Sequence, residues 1–526
     1  MKPTNPLVGP LLTDFYQLTM AYGYWKAGRH LDHAVFELFF RKNPFGGEFT
    51  VFAGLEEAIR FLDDFRFKDE EIEFVRSIMP GCEKGFFDWL GATDCSGVKI
   101  FAPPEGTVVF PRIPLLRVEG PLAVAQLLET GLLNLVNYPT LIATNAARFR
   151  LAAGKDISSL LEFGLRRAQG PDGGVSASRY SYMGGFDATS NVLAGKLFGI
   201  PVKGTHAHAY VSSFDGSNDI KDPLLSGPDG NWHNFHVKVL TARNELEFTD
   251  TNEGELAAFI SYAQAFPDNF LALVDTYDTL KSGVPNFLAV ALALHRIGYK
   301  PVGVRLDSGD LAQLSRATRQ MFREVQQADF SKLLIVASND INEATLLSLT
   351  QQGHEINVAG IGTHLVTCQA QPALGGVYKL VEVWDQPRIK VSEERSKMTI
   401  PGAKCAYRMI GSDGRPILDV LALDSERPLI PGEPILCFDP SDGTKRARVI
   451  PTKVVKLQQC VWDGKVNISL PPLSEVREYC QSQIASMGVD HLRALNPTPY
   501  KVYVSEKLNQ LLYELWSKEA RIPELS

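Results

Sequence analysis

Two histidines two residues apart, His206 and His208, carry the first chemical signal of the chain. They sit in KGTHAHAYVSS (203–213), directly after the turn-and-strand pattern FGIPV. Side chains two apart on an extended segment point the same way, so both imidazoles can look into one site. A histidine there can be a metal ligand, an acid/base group or a nucleophile. RLDSGDL (305–311) is denser in charge. Arg305 offers a planar fork for a carboxylate or phosphate, and Asp307 and Asp310 can accept sugar hydroxyls or hold Mg²⁺ through water. Asp307 or Ser308 can also cap the following helix, which accounts for one carboxylate but not for Arg305 and Asp310 beside it. GIGTH (360–364) is a small-residue turn after a strand, suited to wrapping a phosphate with backbone N–H groups or simply to making a tight connection. Neither GxGxxG nor GxxxxGK[ST] occurs, so a dinucleotide fingerprint and a P-loop are both absent.

An HxH pair at a strand end, with Asp307 later, also fits a zinc-dependent barrel hydrolase. Such a site needs further histidines or a carboxylated lysine at other strand ends. His295, His354 and His364 fall in helix or loop contexts, and His233 and His236 in a polar stretch. His206 therefore reads as a packed or solvated bystander and His208 as functional.

The elements that must position these residues begin near residue 156. Six apolar, strand-like runs follow (SSLLEFGLRR, PVKGTHAH, LALVDTYD, PVGVRLDSGD, LLIVASND and NVAGIGTH), each leading into a helical pattern or a long loop. Alternating βα units predict parallel strands in a barrel or doubly wound sheet, with chemistry at the carboxyl ends. Those ends carry Glu162, Arg166, Arg167, Thr205, His208, Asp275, Asp278, Arg305, Asp307, Asp310, Asn339, Asp340, Gly362 and Thr363. Two polar stretches interrupt the rhythm. Residues 168–190, rich in Gly and Ser, are expected to lie over a substrate, and 215–245 to form a surface excursion. FLAVALAL (287–294) is far short of a membrane span and predicts a buried helix.

Before the barrel, TDFYQLTMAYGYWKAG predicts a capped helix ending at Gly28, and HAVFELFF and EFTVFAG predict strands around a Pro/Gly turn. VKIFAPPEGTVVFPRIPLLRVEGPL, with five prolines, predicts short edge strands. After GGVYKLVEV come β-like runs (RIKVSEE, KCAYRMIG, PILDVLAL, PTKVVKL) and two helices. The expected division is an α+β sandwich segment over 1–145, a barrel with the active site over 146–380, and a β-rich segment over 381–526 that packs on the first.

At 526 residues the chain is long enough for two or three domains. With 45% hydrophobic and 21% charged residues it has the composition of a globular protein. A formal charge of −7 argues against a general nucleic-acid binder, which needs a basic face. Seven widely spaced cysteines without a CxxC pair suit a reducing compartment. The N-terminus lacks the apolar core of a signal peptide and the arginines of a transit peptide. The expected location is the cytosol, with no membrane partner.

LLTDFYQLTM, FELFFRKNPFGG, LLETGLLNLVNY, TNAARFRLAAG, EFGLRRAQGPDGG, GGFDATSNVLAG, GTHAH, DTYD, GVRLDSGD, SND and GIGT occur in this order over almost the whole chain. Together they closely resemble the nicotinate phosphoribosyltransferase family. The resemblance implies an irregular α/β barrel of the type II phosphoribosyltransferase kind, with a sandwich domain built from N- and C-terminal segments. It implies nicotinate, phosphoribosyl pyrophosphate and ATP as substrates, Mg²⁺, and a homodimer with shared sites. On that reading Arg166, Arg167, Gly362 and Thr363 hold phosphates, Asp275 and Asp307 hold ribose hydroxyls or Mg²⁺, and Arg305 with Thr205 takes the nicotinate carboxylate. Tyr16 is assigned to the pyridine ring in the partner subunit's site, and His208 matches the histidine that ATP phosphorylates transiently. The flanks depart from the family's usual GTMAHS: His206 stands where an apolar residue is common, and Ala209 lacks the usual serine hydroxyl. A nicotinamide-using relative is a minor variant, disfavoured because no aspartate stands beside Thr205 to accept an amide. A catalytically silent sensor of the phosphoribosyl donor is a third reading beside transferase and zinc hydrolase.

Overall fold

In this computed structural model residues 1–390 and 398–519 are described. The chain forms two units: residues 148–369 make one, and 1–147 with 370–526 make the other.

The 148–369 unit is built on six parallel strands in the order 271–273, 303–306, 334–337, 358–361, 159–162, 188–189. Valines, leucines and isoleucines fill them because both faces are covered, the pattern of a parallel sheet under crossover helices. At 188–189 the sheet continues through a parallel bridge between Thr189 and Val202. The opposite edge, 271–273, lies within hydrogen-bond reach of the same segment, since Leu273 N–H donates to His206 Nε2 at 3.2 Å. The 202–206 segment therefore stands between the first and last strands, and the sheet closes into a barrel across one irregular seam bridged by a side chain.

The helices have legible causes. Val284–Arg296 is buried along almost its whole length, as its apolar run predicts. Its entry is unusually close: a Cβ on Gly283 would sit 1.8 Å from the Val274 carbonyl oxygen, so only glycine lets the helix start beneath the 271–273 strand. A single π-helical turn, Thr279–Gly283, makes that approach, as π-turns often do at functional sites. Asn191, Asn252, Asp310 and Asn342 each cap a helix by accepting a backbone N–H three residues on. The 168–190 stretch, rich in Gly and Ser, is chiefly a helix, Gly170–Met183, with its inner face buried. Its serines and glycines allow close packing. The 215–245 stretch likewise ends in a helix, Phe235–Glu245, behind a short hairpin, so only its first half is an excursion.

The other unit contains two six-stranded sheets. One runs 386–387, 376–383, 33–40, 116–121, 99–102, 459–463, and the second 442–449, 435–439, 502–505, 416–423, 404–410, 453–456. N- and C-terminal segments thus share a sheet, because 376–383 pairs with 33–40 and 459–463 with 99–102. The 376–383 strand, assigned by sequence rhythm mostly to the barrel, belongs here. The proline-rich stretch also differs from expectation. Its strands 99–102 and 116–121 are interior, since the prolines fall between or at the ends of strands and remove no ladder donor from the middle. RIKVSEE lies partly outside the described residues. The 473–486 and 506–519 helices form where the apolar spacing places them.

Candidate active site

At the carboxyl end of the 271–273 strand, Asp275 turns inward with only 2% of its side chain exposed. Its Oδ2 accepts from the Asp307 N–H at 2.9 Å and from the Ser308 hydroxyl at 2.5 Å. Its Oδ1 is buried without a hydrogen-bond partner. A buried carboxylate oxygen left open is expensive unless a cation or donor visits it.

One strand on, Arg305 and Asp307 are locked together. Arg305 Nε donates to the Ser338 hydroxyl at 2.7 Å, and that hydroxyl donates to Asp307 Oδ1 at 2.6 Å. The guanidinium also reaches Asp307 Oδ1 at 3.3 Å and the Thr205 hydroxyl at 3.1 Å, and lies over the Phe163 ring at 5.5 Å. Arg305 and Thr205 are one hydrogen bond apart, so a single small anion can touch both.

His208 completes the group. Its Nδ1 is 3.0 Å from the Thr276 hydroxyl, while Nε2 points at the carboxylates, 3.9 Å from Asp275 Oδ1 and 3.8 Å from Asp307 Oδ2. The ring is 45% exposed, so a ligand entering from solvent can reach it. His206 faces elsewhere. It is buried against Tyr210, Phe259 and Tyr262, and its Nε2 is taken by Leu273 N–H. The HxH pair therefore does not converge on a metal. Among the described residues no three His, Cys, Asp or Glu side chains gather as one, and the zinc-hydrolase reading falls.

Matches to known families cover most of the chain. The nicotinate phosphoribosyltransferase N-terminal domain matches residues 11–137, the nicotinate phosphoribosyltransferase family 293–413, and its C-terminal domain 403–512. Nicotinate phosphoribosyltransferase 2 of Arabidopsis thaliana is 56% identical over 99% of this chain and 97% of its own. The Homo sapiens nicotinate phosphoribosyltransferase is 49% identical over 96% of each. The chain belongs to the nicotinate phosphoribosyltransferase family. The crystal structure of the human nicotinic acid phosphoribosyltransferase superposes with a TM-score of 0.86 at 46% identity, over 96% of this chain and 99% of that one. A Pyrococcus furiosus nicotinate-nucleotide pyrophosphorylase, at 19% identity and TM-score 0.59, shares the fold.

Two turns expected to bind phosphate in this family member lie against each other. Leu165–Arg167 is a 3₁₀ turn leaving Arg166 and Arg167 exposed, without a hydrogen-bond or ion-pair partner among the described residues. A Cβ on Gly164 would meet the Gly362 carbonyl oxygen at 3.0 Å, so the FGLRR and GIGT turns pack backbone to backbone. Gly362 precedes the short helix beginning at Thr363. Tyr16 lies in the other unit, on Phe15–Lys26, with 46% of the residue exposed.

Several charges at the strand ends have structural duties instead. Glu162 is buried and accepts from Gly164 N–H and from the hydroxyls of Ser178 and Thr189, which fixes the turn that carries the arginines. Asp310 caps the 311–324 helix, the duty sequence offered to Asp307 or Ser308, and Asp278 caps the π-turn. Asp340 pairs with His364 at 3.3 Å. Conversely, Thr276, Ser308 and Ser338 hold the site together, although the sequence marked Thr276 and Ser338 only as parts of DTYD and SND and offered Ser308 only as a helix cap. Phe163 under Arg305 carried no signal beyond its place in EFGLRR.

Proposed function

We propose that the chain transfers the 5-phosphoribosyl group of phosphoribosyl pyrophosphate to nicotinate, giving nicotinate mononucleotide and pyrophosphate, with ATP coupled through a phosphohistidine at His208. One observation carries the reading: His208 Nε2, the open Asp275 Oδ1 and Asp307 Oδ2 face a common space beside the Arg305–Thr205 pair.

The pyridine nitrogen attacks ribose C1 with its own lone pair, the C1–oxygen bond breaks, and the electron pair leaves with pyrophosphate. No base is required. Catalysis is positioning of two reactants and stabilisation of a cationic ribose carbon. Arg305 and Thr205 take the nicotinate carboxylate, Asp275 and Asp307 set negative charge beside the ribose, and Arg166, Arg167, Gly362 and Thr363 hold the phosphates. In a homodimer, Tyr16 of one copy stacks on the pyridine bound by the other, which the exposure of its ring supports.

For the ATP half, the Nδ1 proton of His208 donates to Thr276, leaving the Nε2 lone pair to attack the γ-phosphorus while ADP departs. Mg²⁺ fits the donor set, because Asp275 Oδ1 is buried with no other partner and Asp307 Oδ2 lies on the same side of His208. Bound there, the ion neutralises the carboxylates that would otherwise repel phosphate. The seven free cysteines support a reducing, cytoplasmic setting. No helix among the described residues is long and apolar enough to cross a membrane.

Incubation with γ-labelled ATP tests this reading. Acid-labile label on the peptide carrying His208, discharged by adding nicotinate and the phosphoribosyl donor, is expected. Label elsewhere or none removes His208 from the ATP half, and preference for nicotinamide over nicotinate rejects the acid-specific site.

A further inference from the structure

The barrel's pairing is continuous from the 271–273 strand round to the Thr189–Val202 bridge and then stops. The last backbone bond on that side is Lys203 N–H to the Thr189 carbonyl. Beyond it, the N–H groups of residues 204–207 make no backbone hydrogen bond among the described residues. Yet this unpaired stretch delivers His208 to the site. Its attachments are side chains: Thr205 to Arg305 at 3.1 Å, and His206 to Leu273 N–H at 3.2 Å.

We propose that His206 is a positioning residue whose imidazole replaces the missing strand pairing at the barrel seam and thereby fixes His208 against Thr276, Asp275 and Asp307. The inference rests on the phosphohistidine reading of His208. The geometry is that of a pin two residues before each functional group: His206 precedes His208 by two, and its partner Leu273 precedes Asp275 by two. Because Nε2 accepts from Leu273, the ring proton belongs on Nδ1, which lies 3.4 Å from the Ala207 carbonyl oxygen. A protonated imidazolium would have no lone pair to offer, and the site is built to keep the ring neutral. It is only 8% exposed. Tyr262 packs edge-on against the His206 ring at 4.7 Å between ring centres, and burial pushes the His206 imidazole down to about 4.

The two functional groups depend on the pin unequally. Asp275 has its own anchors in the Asp307 N–H and the Ser308 hydroxyl. His208 has one side-chain bond, to Thr276, and otherwise follows its backbone. Loss of the pin should therefore harm the ATP-coupled half more than the transfer itself.

The test compares His206→Leu, which fills the space without an acceptor, with His206→Gln, whose side-chain oxygen can reach Leu273. Two quantities are read: the ratio of turnover with ATP to turnover without it, and hydrogen exchange of the peptide spanning 271–276. Misplacement by about 1 Å is enough to lower rates by large factors, so His206→Leu should cut the ATP ratio by about tenfold and His206→Gln should hold it within about threefold. Exchange at Leu273 should quicken in the Leu variant and stay near wild type in the Gln variant. An unchanged ATP ratio in the Leu variant, or equal failure of both variants, overturns the proposal. Absence of ATP stimulation in the wild type would remove the phosphohistidine reading. The exchange arm then decides the seam alone, and unchanged protection in the Leu variant overturns it.

Discussion

Two clusters of charge, one in each unit, look alike in composition and differ in what they leave open. In the 1–147/370–526 unit, Arg408 donates to both oxygens of Asp419 at 2.9 Å, to the Val108 carbonyl, and packs near the Phe110 ring, while the Tyr500 hydroxyl donates to Asp419. Both charges are buried, and Asp419 holds the guanidinium charge firmly in place. The guanidinium and the carboxylate of that cluster are both occupied by protein partners. In the barrel, Asp275 has an unpartnered oxygen, His208 an available nitrogen, and Arg166 and Arg167 no partners among the described residues. A satisfied network specifies structure, whereas open donors and acceptors gathered at neighbouring strand ends mark a candidate site.

The largest expected effect breaks the first cluster. Asp419→Ala strands a buried guanidinium and should destabilise the protein by about 3–5 kcal/mol, read as a lowered denaturant midpoint. The activity of the molecules that remain folded should stay close to wild type.

Asp275→Ala should do the reverse. It removes charge facing the reacting centre, so kcat should fall by about 10²–10³ with little loss in thermal midpoint. A large drop in midpoint with normal kcat would place Asp275 with the structural charges.

Arg305→Ala sits between the two, because its guanidinium both braces Asp307 and faces the Thr205 hydroxyl. KM for nicotinate should rise by more than about tenfold, the scale of a lost charged hydrogen bond. Unchanged KM moves the carboxylate site elsewhere.

The smallest effect is a pair of pH slopes. His206 is held near 4 by burial against an ordinary 6.5, so its contribution is present above pH 6.5 and is lost as pH falls toward 4. Glu255 is pushed up to about 7 from 4.5 by burial, though Ser282 and Asn286 donate to it, so the folded state favours its protonated form. Its stability contribution is present below pH 4.5 and lost as pH rises toward 7. Between pH 4.5 and 6.5 the two slopes oppose each other. Denaturation across that window should show stability rising with pH in Glu255→Gln and falling with pH in His206→Gln, each by no more than about 1.4 kcal/mol per pH unit. Parallel profiles in both variants would contradict these assignments.

The parallel strands and the buried 284–296 helix were legible because burial on both faces writes continuous apolar runs. That His208, Asp275, Arg305 and Asp307 come together was legible because the carboxyl ends of neighbouring parallel strands lie side by side. Glu162 and Asp310 belonged to the same ring by position and are structural, since a carboxylate's duty depends on which N–H groups its backbone places nearby. The 168–190 helix was hidden by glycines and serines that serve close packing. His206 was hardest to read, because its partner is a backbone N–H 67 residues away and its value lies in a strand pairing that the chain does not make.

The most direct test is nicotinate mononucleotide formation from nicotinate, phosphoribosyl pyrophosphate and Mg²⁺, with and without ATP, in wild type and His208→Ala. Product in both proteins, stimulated by ATP in wild type alone, is the predicted result. No product from wild type under any nucleotide condition, or equal ATP stimulation of His208→Ala, would contradict the account.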